Sequence, residues 1–169
     1  SVAGIQLAHA GRKASTSAPF AGAKPLLSDH PDSWQVVAPS AIPVGPGFPE
    51  PAALSVADIQ QLVSEFTIAA RRSVDCGFGV IELHGAHGYL MHSFLSPIAN
   101  QRLDEYGGDL AGRMRFPLEV SRAVREAVGK DIPLFFRISA VDRVDGGWTM
   151  DDSVALSREL GNAGIDVVD

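Results

Sequence analysis

Phe78-Gly79-Val80-Ile81-Glu82-Leu83-His84-Gly85-Ala86-His87-Gly88-Tyr89-Leu90 is the stretch on which the fold turns. The segment Phe78 to Leu83 is short, largely apolar and preceded by Gly77, which predicts a buried β-strand. His84, His87 and Tyr89 then fall on the loop leaving that strand. In parallel α/β architectures this is where ligands meet the chain, because the crevice lies beyond the carboxyl ends of the strands. His84 and His87 are three apart and can converge on one small oxygen, and Tyr89 adds a phenol, a weak acid. Two hydrogen-bond donors and a weak acid suit a carbonyl that becomes an enolate and is then protonated. Two satisfied structural histidines, or half of a metal site, fit the same residues.

Outward from this stretch, apolar runs and helical periodicities alternate. Val2 to Leu7 reads as a short buried strand, with Gly11 ending the turn after it. Ser55-x-x-Asp58 has the form of a helix cap, and Ile59, Leu62, Val63, Phe66, Ala70 and Val74 follow at helical spacing until Gly77. A second helix is expected to open at Gly112, with Pro117 in its first turn and Phe116, Val120, Val124 and Ala127 on its inward face. Ile132 to Ile138 reads as a third strand behind Pro133. Thr149-x-x-Asp152 caps a third helix that ends at Gly164, and Ile165 to Val168 begins a fourth strand. Four strands alternating with three helices predict parallel βα units.

Between the first strand and the first helix, residues 19–51 hold eight of the chain's 11 prolines. Such density excludes a helix and predicts an ordered excursion pinned by proline, with Trp34 as its anchor. The chain shows no short-period repeat, no Gly-x-Gly-x-x-Gly and no phosphate-binding P-loop.

The bulk numbers are those of an ordinary globular domain: 169 residues, 46% hydrophobic, 20% charged. A net charge of −6 with no Lys/Arg cluster argues against nucleic acid as a partner. No apolar run approaches the roughly 20 residues of a membrane span, so no membrane partner is expected. The lone cysteine, Cys76, has no partner within the chain for a disulfide and is expected to pack at a helix end. A cytoplasmic enzyme is the default expectation.

Several further segments carry a resemblance. Met91-His92-Ser93-Phe94-Leu95-Ser96-Pro97, Asn100-Gln101-Arg102-Leu103-Asp104-Glu105-Tyr106-Gly107-Gly108 and Gln6-Leu7-Ala8-His9-Ala10-Gly11-Arg12 join the stretch above. So do Val37-Ala38-Pro39-Ser40-Ala41-Ile42-Pro43, Arg113-Met114-Arg115-Phe116 and Phe136-Arg137-Ile138-Ser139. In this order, over nearly the whole chain, they resemble the Old Yellow Enzyme family of FMN-dependent ene-reductases. The form Gln6 to Arg12, with Ala8 where many members carry Trp, is similar to the thermophilic-like bacterial branch. Asp109-Leu110-Ala111-Gly112 departs from the family's Ser-x-Glu-Asn before Arg113.

The resemblance implies a (β/α)8 barrel, of which these residues would be roughly strands three to six with their helices. Such a barrel usually needs about 250 residues. The chain therefore looks like an internal piece of a longer protein, a partial FMN-dependent oxidoreductase domain over residues 1–169. A self-contained doubly wound sheet remains open on size alone.

The resemblance also implies roles. Gln6, at the end of the first strand, would meet the pyrimidine edge of FMN through an amide that both donates and accepts. Arg137, at the equivalent end of the third strand, would stabilise negative charge there, since a guanidinium cannot deprotonate. His84 and His87 would bind the substrate carbonyl oxygen, each donor being worth about 2.7–4 kcal/mol of barrier in comparable sites. Tyr89, also touching substrate, would be the catalytic acid at the α-carbon, a role commonly worth about 10²–10⁴ in rate. NAD(P)H would be the reductant, the substrate a small activated alkene carrying a carbonyl or nitro group, and the full-length protein a homo-oligomer. Lys13 would reach the mouth of the site. Two competitors stand beside this reading. One is a metal-dependent barrel hydrolase using His84, His87 and Glu82; the other is a barrel segment that folds without cofactor or catalysis.

Overall fold

The computed structural model describes all residues from Ser1 to Asp169. Four strands, β1 (Gly4–Leu7), β4 (Val80–Gly85), β5 (Leu134–Ile138) and β6 (Val167–Val168), form one sheet in the spatial order β1-β4-β5-β6. All three pairings are parallel. Strand order follows chain order with no reversal, which is how a (β/α)8 barrel is wound; a doubly wound sheet reverses direction at its switch point. The fold is thus a run of barrel βα units.

The connections are α1 (Val56–Asp75) between β1 and β4, α2 (Leu90–Leu95) and α3 (Leu110–Val128) between β4 and β5, and α4 (Met150–Asn162) between β5 and β6. Caps set where they begin. Ser55 Oγ accepts from the Asp58 N–H while the Asp58 carboxylate accepts from the Ser55 N–H, and Thr149 and Asp152 repeat the arrangement at α4. Each box satisfies two of the N–H groups that a helix start leaves without partners. At α3 the Asp109 side chain accepts from the Gly112 N–H, so the helix begins at Leu110 rather than Gly112. Pro117 consequently sits about two turns inside the helix and not in its first turn. It removes the hydrogen bond to the Arg113 carbonyl, and its buried ring packs in the core.

The helices cover one face of the sheet. Ile81, Leu83, Leu134 and Phe136, which alternate along β4 and β5, are fully buried against Ile59, Phe66 and Ala70 of α1, Phe116, Val120 and Val124 of α3, and Leu156 and Leu160 of α4. Burial on this scale is the main force holding the layers together, at roughly 1.5–3 kcal/mol for each large side chain. Ala127, expected on the inward face of α3, is only half-buried. α2 was not anticipated: all six of its residues are buried, so it carries no alternating polar face to betray a helical period.

The proline-rich segment contains no α-helix; it is extended and turn structure, with a 3-10 turn at Pro19–Ala21 and a two-residue parallel pair of β2 (Val37–Ala38) with β3 (Ala52–Ala53). Two guanidinium groups hold it down. Arg12 Nη1 donates to the carbonyls of Ile42 and Pro43 at 2.8 and 3.3 Å, and Arg102 Nη1 donates to those of Pro39 and Leu54 at 2.9 and 2.5 Å. Prolines strip the segment of donors, and arginine, which carries five, supplies them. Trp34 is not the anchor: it is 58% exposed, and its place in the loop is fixed by its N–H donating to Ser15 Oγ. Cys76 is likewise exposed rather than packed, at the C-terminal cap of α1.

Candidate active site

β4 runs two residues further than the apolar pattern predicts, because His84 and Gly85 pair with Arg137 and Ile138 of β5. His84 therefore lies on the strand itself, and only His87 and Tyr89 lie on the loop. Gly85 is required at this last position. A Cβ there would stand 2.2 Å from Phe136 Cε1, so the aromatic ring can pass beneath the strand end only if residue 85 has no side chain.

The alternation of side chains in a parallel sheet assigns the faces. Gln6 is opposite Glu82, and His84 is opposite Arg137. All four share the face turned away from the helices and stand toward the carboxyl ends of adjacent strands. Gln6 Nε2 donates to Glu82 Oε1 at 2.5 Å, and Arg137 Nε lies 3.4 Å from Asp169 Oδ2 with both side chains about half exposed. The chain thus brings Gln6, His84 and Arg137 together on one open face, with an amide, an imidazole and a permanent cation side by side.

His87 and Tyr89 reach the same place through a tight turn. The Tyr89 N–H donates to the Ala86 carbonyl at 3.1 Å, and the two residues between, His87 and Gly88, have φ of 60° and 70°. Left-handed backbone is free for glycine but costs a histidine energy, so His87 stays there only because its surroundings impose it. Each backbone N–H and C=O of His87 and Gly88 has a partner outside the turn. The His87 N–H donates to Ser139 Oγ at 2.9 Å, Lys13 Nζ donates to the His87 carbonyl at 2.6 Å, and the Gly88 N–H donates to His92 Nδ1 at 2.9 Å. Ser93 Oγ donates to the carbonyls of Gly88 and Tyr89. The result is a cluster of three rings: His84 to His87 at 5.0 Å between centroids, and His84 to Tyr89 at 5.1 Å and 86°, edge to face.

The electrostatics keep the central ring neutral. His84 is only 4% exposed. Burial pushes its pKa below 6.5, the neighbouring His87 and Arg137 push it further, and Glu82 only partly opposes them. Its Nδ1 is buried without a partner, a polar atom left over by the protein's own contacts. A neutral imidazole beside a second imidazole, a phenol, an amide and a guanidinium is a donor-rich face suited to a planar, carbonyl-bearing ligand and an oxygen that gains negative charge. No three His, Cys, Asp or Glu side chains of this chain converge in a way that would hold a metal ion.

Asp142 and His92, to which sequence spacing assigns no role, belong to this construction. Asp142, on the loop after β5, accepts from His92 Nε2 at 2.8 Å, from Ser96 Oγ at 2.6 Å and from the Trp148 N–H at 2.8 Å. His92 and Asp142 are 50 residues apart, and no spacing rule connects them. The only available signal was that both follow strand ends. His9, by contrast, serves the backbone, its Nδ1 accepting from the Gly11 N–H at 3.0 Å.

Comparison with known proteins places this arrangement in context. The sequence model of the NADH:flavin oxidoreductase / NADH oxidase family matches residues 1–169. An NADPH dehydrogenase of Bacillus cytotoxicus is 46% identical over 169 residues, which is 100% of this chain and 44% of that protein. An NADH:flavin oxidoreductase of Gibberella zeae is 40% identical over 179 residues, covering 98% of this chain and 43% of its own length. Among solved structures, morphinone reductase in complex with tetrahydroNAD superposes with a TM-score of 0.80 at 29% identity, over 98% of this chain and 47% of that one. The chain spans less than half the length of these relatives.

Proposed function

The chain belongs to the NADH:flavin oxidoreductase / NADH oxidase family, the Old Yellow Enzyme family of the resemblance, and from that premise we propose that it is the part of an FMN-dependent, NAD(P)H-oxidising ene-reductase that carries the substrate-oxygen site. The substrates are small alkenes conjugated to a carbonyl or nitro group. Residues 1–169 form one stretch of the barrel domain, with the 19–51 excursion as an insertion between strand and helix.

The observation that carries the proposal is the three-ring cluster of His84, His87 and Tyr89 beside Gln6 and Arg137 on one sheet face. Gln6 and Arg137 would hold the pyrimidine edge of FMN, the amide by paired donor and acceptor, the guanidinium by charge, and the bound flavin would supply the hydride chemistry between NAD(P)H and the alkene. His84 and His87 hydrogen-bond the substrate oxygen, which draws electron density from the β-carbon and stabilises the enolate that follows. His84 can do so as a neutral donor because burial keeps it uncharged. Tyr89 delivers a proton to the α-carbon.

The experiment is spectroscopic and kinetic. The full-length protein should bind FMN, and that flavin should be bleached by NAD(P)H and re-oxidised by a cyclic enone without oxygen. His84→Ala and His87→Ala should retain FMN and slow enone-driven re-oxidation roughly 10²-fold or more. Loss of flavin without loss of turnover per bound FMN would assign the histidines to the cofactor instead.

A further inference from the structure

The turn that presents His87 and Tyr89 is held in a conformation its sequence disfavours, and the residue that closes it from below is a histidine whose ring is fixed at both ends. The Gly88 N–H can only donate, so His92 Nδ1, 2.9 Å away, must accept. The proton of a neutral His92 then sits on Nε2, which donates to Asp142 Oδ1 at 2.8 Å. A doubly protonated His92 would set Nδ1–H against the Gly88 N–H and break the turn's support. Asp142 is itself anchored: Oδ2 accepts from Ser96 Oγ and the Trp148 N–H, and the Asp142 N–H donates to the Trp148 carbonyl at 2.9 Å. His92 is 6% exposed, so water does not replace these partners.

We propose that His92 and Asp142 are a positioning pair that locks the loop after β4 to the loop after β5, holding His87 and Tyr89 where they meet the substrate, and that they do so through one tautomer of His92. This deepens the ene-reductase reading and rests on it for the identity of the substrate. Neither residue touches substrate; both act through the Gly88 N–H. The state of the carboxylate agrees with this role. Burial alone would raise its pKa, yet the hydrogen bonds from His92, Ser96 and the Trp148 N–H bring it down to about 2, so it is a charged acceptor at neutral pH.

Asparagine and glutamine divide the histidine into halves. In His92→Asn, Oδ1 occupies the position of Nδ1 and can accept from Gly88, while the link to Asp142 is lost. In His92→Gln, the amide nitrogen occupies the position of Nε2 and can donate to Asp142, while the Gly88 N–H goes unpaired. Asp142→Asn is the sharpest probe. The Trp148 N–H cannot reverse, so the new amide oxygen must face it and the NH₂ must face His92. His92 can then only accept at Nε2, which moves its proton to Nδ1 and turns it against Gly88.

The test uses the FMN-loaded protein and two readouts. Enone-driven flavin re-oxidation should slow at least 10-fold in Asp142→Asn, His92→Gln and His92→Leu, with FMN content and reduction by NAD(P)H within about two-fold of the parent, while His92→Asn should recover to within about three-fold. Nitrogen-15 NMR of the His92 ring, independent of any substrate, should show an unprotonated Nδ1 in the parent and a protonated Nδ1 in Asp142→Asn. A parent protein that reduces no activated alkene but shows this tautomer switch would retain the positioning pair and discard the ene-reductase reading. His92→Asn as slow as His92→Leu, or a His92 ring with its proton on Nδ1 in the parent, would overturn the proposal.

Discussion

His84 on β4 and Arg137 on β5 are register partners, so an imidazole that must stay neutral stands beside a guanidinium that is always charged. The pairing couples the two ligands of the proposed site. A group that attracts negative charge on the cofactor side also repels a proton from the histidine on the substrate side. Parallel strands make this possible, since partners in register carry their side chains on one face.

Arg137→Leu should weaken FMN binding by roughly 10- to 100-fold, the loss of a hydrogen bond to a charged group. Stability should hardly change. The only ion pair lost is with Asp169 at 3.4 Å, between side chains 44% and 54% exposed, and such surface pairs are worth about 1 kcal/mol or less. Flavin fluorescence titration beside a thermal melt checks both halves. An unchanged affinity would remove Arg137 from the cofactor site.

Acid should destabilise the protein in two windows. Burial holds His84 and His9 below their ordinary 6.5. The unfolded chain therefore takes up protons that the folded chain refuses, and the stability these rings contribute is complete above 6.5 and lost as pH falls through their folded values. Asp142, lowered from 3.8 to about 2, adds a loss that begins below 3.8 and ends near 2. Urea midpoints measured from pH 8 to pH 3 should fall monotonically, and His84→Asn should flatten the upper part. A midpoint that rises on acidification between pH 7 and 5 would contradict this assignment.

Gly85→Ala should cost about 1–3 kcal/mol by overpacking the strand end against Phe136. Phe136→Leu removes the ring atoms that collide, so it should restore part of that loss when combined, although alone it opens a cavity. A double-mutant cycle by chemical denaturation is expected to give a coupling of at least about 1 kcal/mol. Strict additivity would mean that the ring moves aside without cost.

What could be read from residues alone divides along physical lines. Signals local to one element were legible: the Ser55/Asp58 and Thr149/Asp152 caps, the buried stripe of α1, and the strand-helix alternation that gave parallel units. Where tertiary contact sets the outcome, the residues were silent. β4 continues through His84 because β5 pairs with it, α2 is hidden because every side of it is buried, and α3 starts at Leu110 because the single carboxylate of Asp109 caps it. Gln6 and Arg137 were legible as strand-end residues, whereas His84 joins their face only because β4 extends through it to pair with β5. The tie from His92 to Asp142 crosses two loops and obeys no period, so only the folded chain reveals it.

Tyr89→Phe should separate the two halves of the reaction. The ring lies edge-on to His84 at 5.1 Å, and phenylalanine keeps that contact, so the pocket should be unchanged and only the acid removed. A proton is needed at the α-carbon after hydride has arrived, not while NAD(P)H reduces the flavin. Stopped-flow absorbance should therefore show flavin reduction near the parent rate and enone-driven re-oxidation slowed by about 10²-fold or more. Nitroalkenes supply an internal control. Their nitronate survives unprotonated, so the hydride step with a nitroalkene should slow much less than with an enone. Equal slowing of both half-reactions would show that the Tyr89 hydroxyl shapes the pocket rather than delivering the proton.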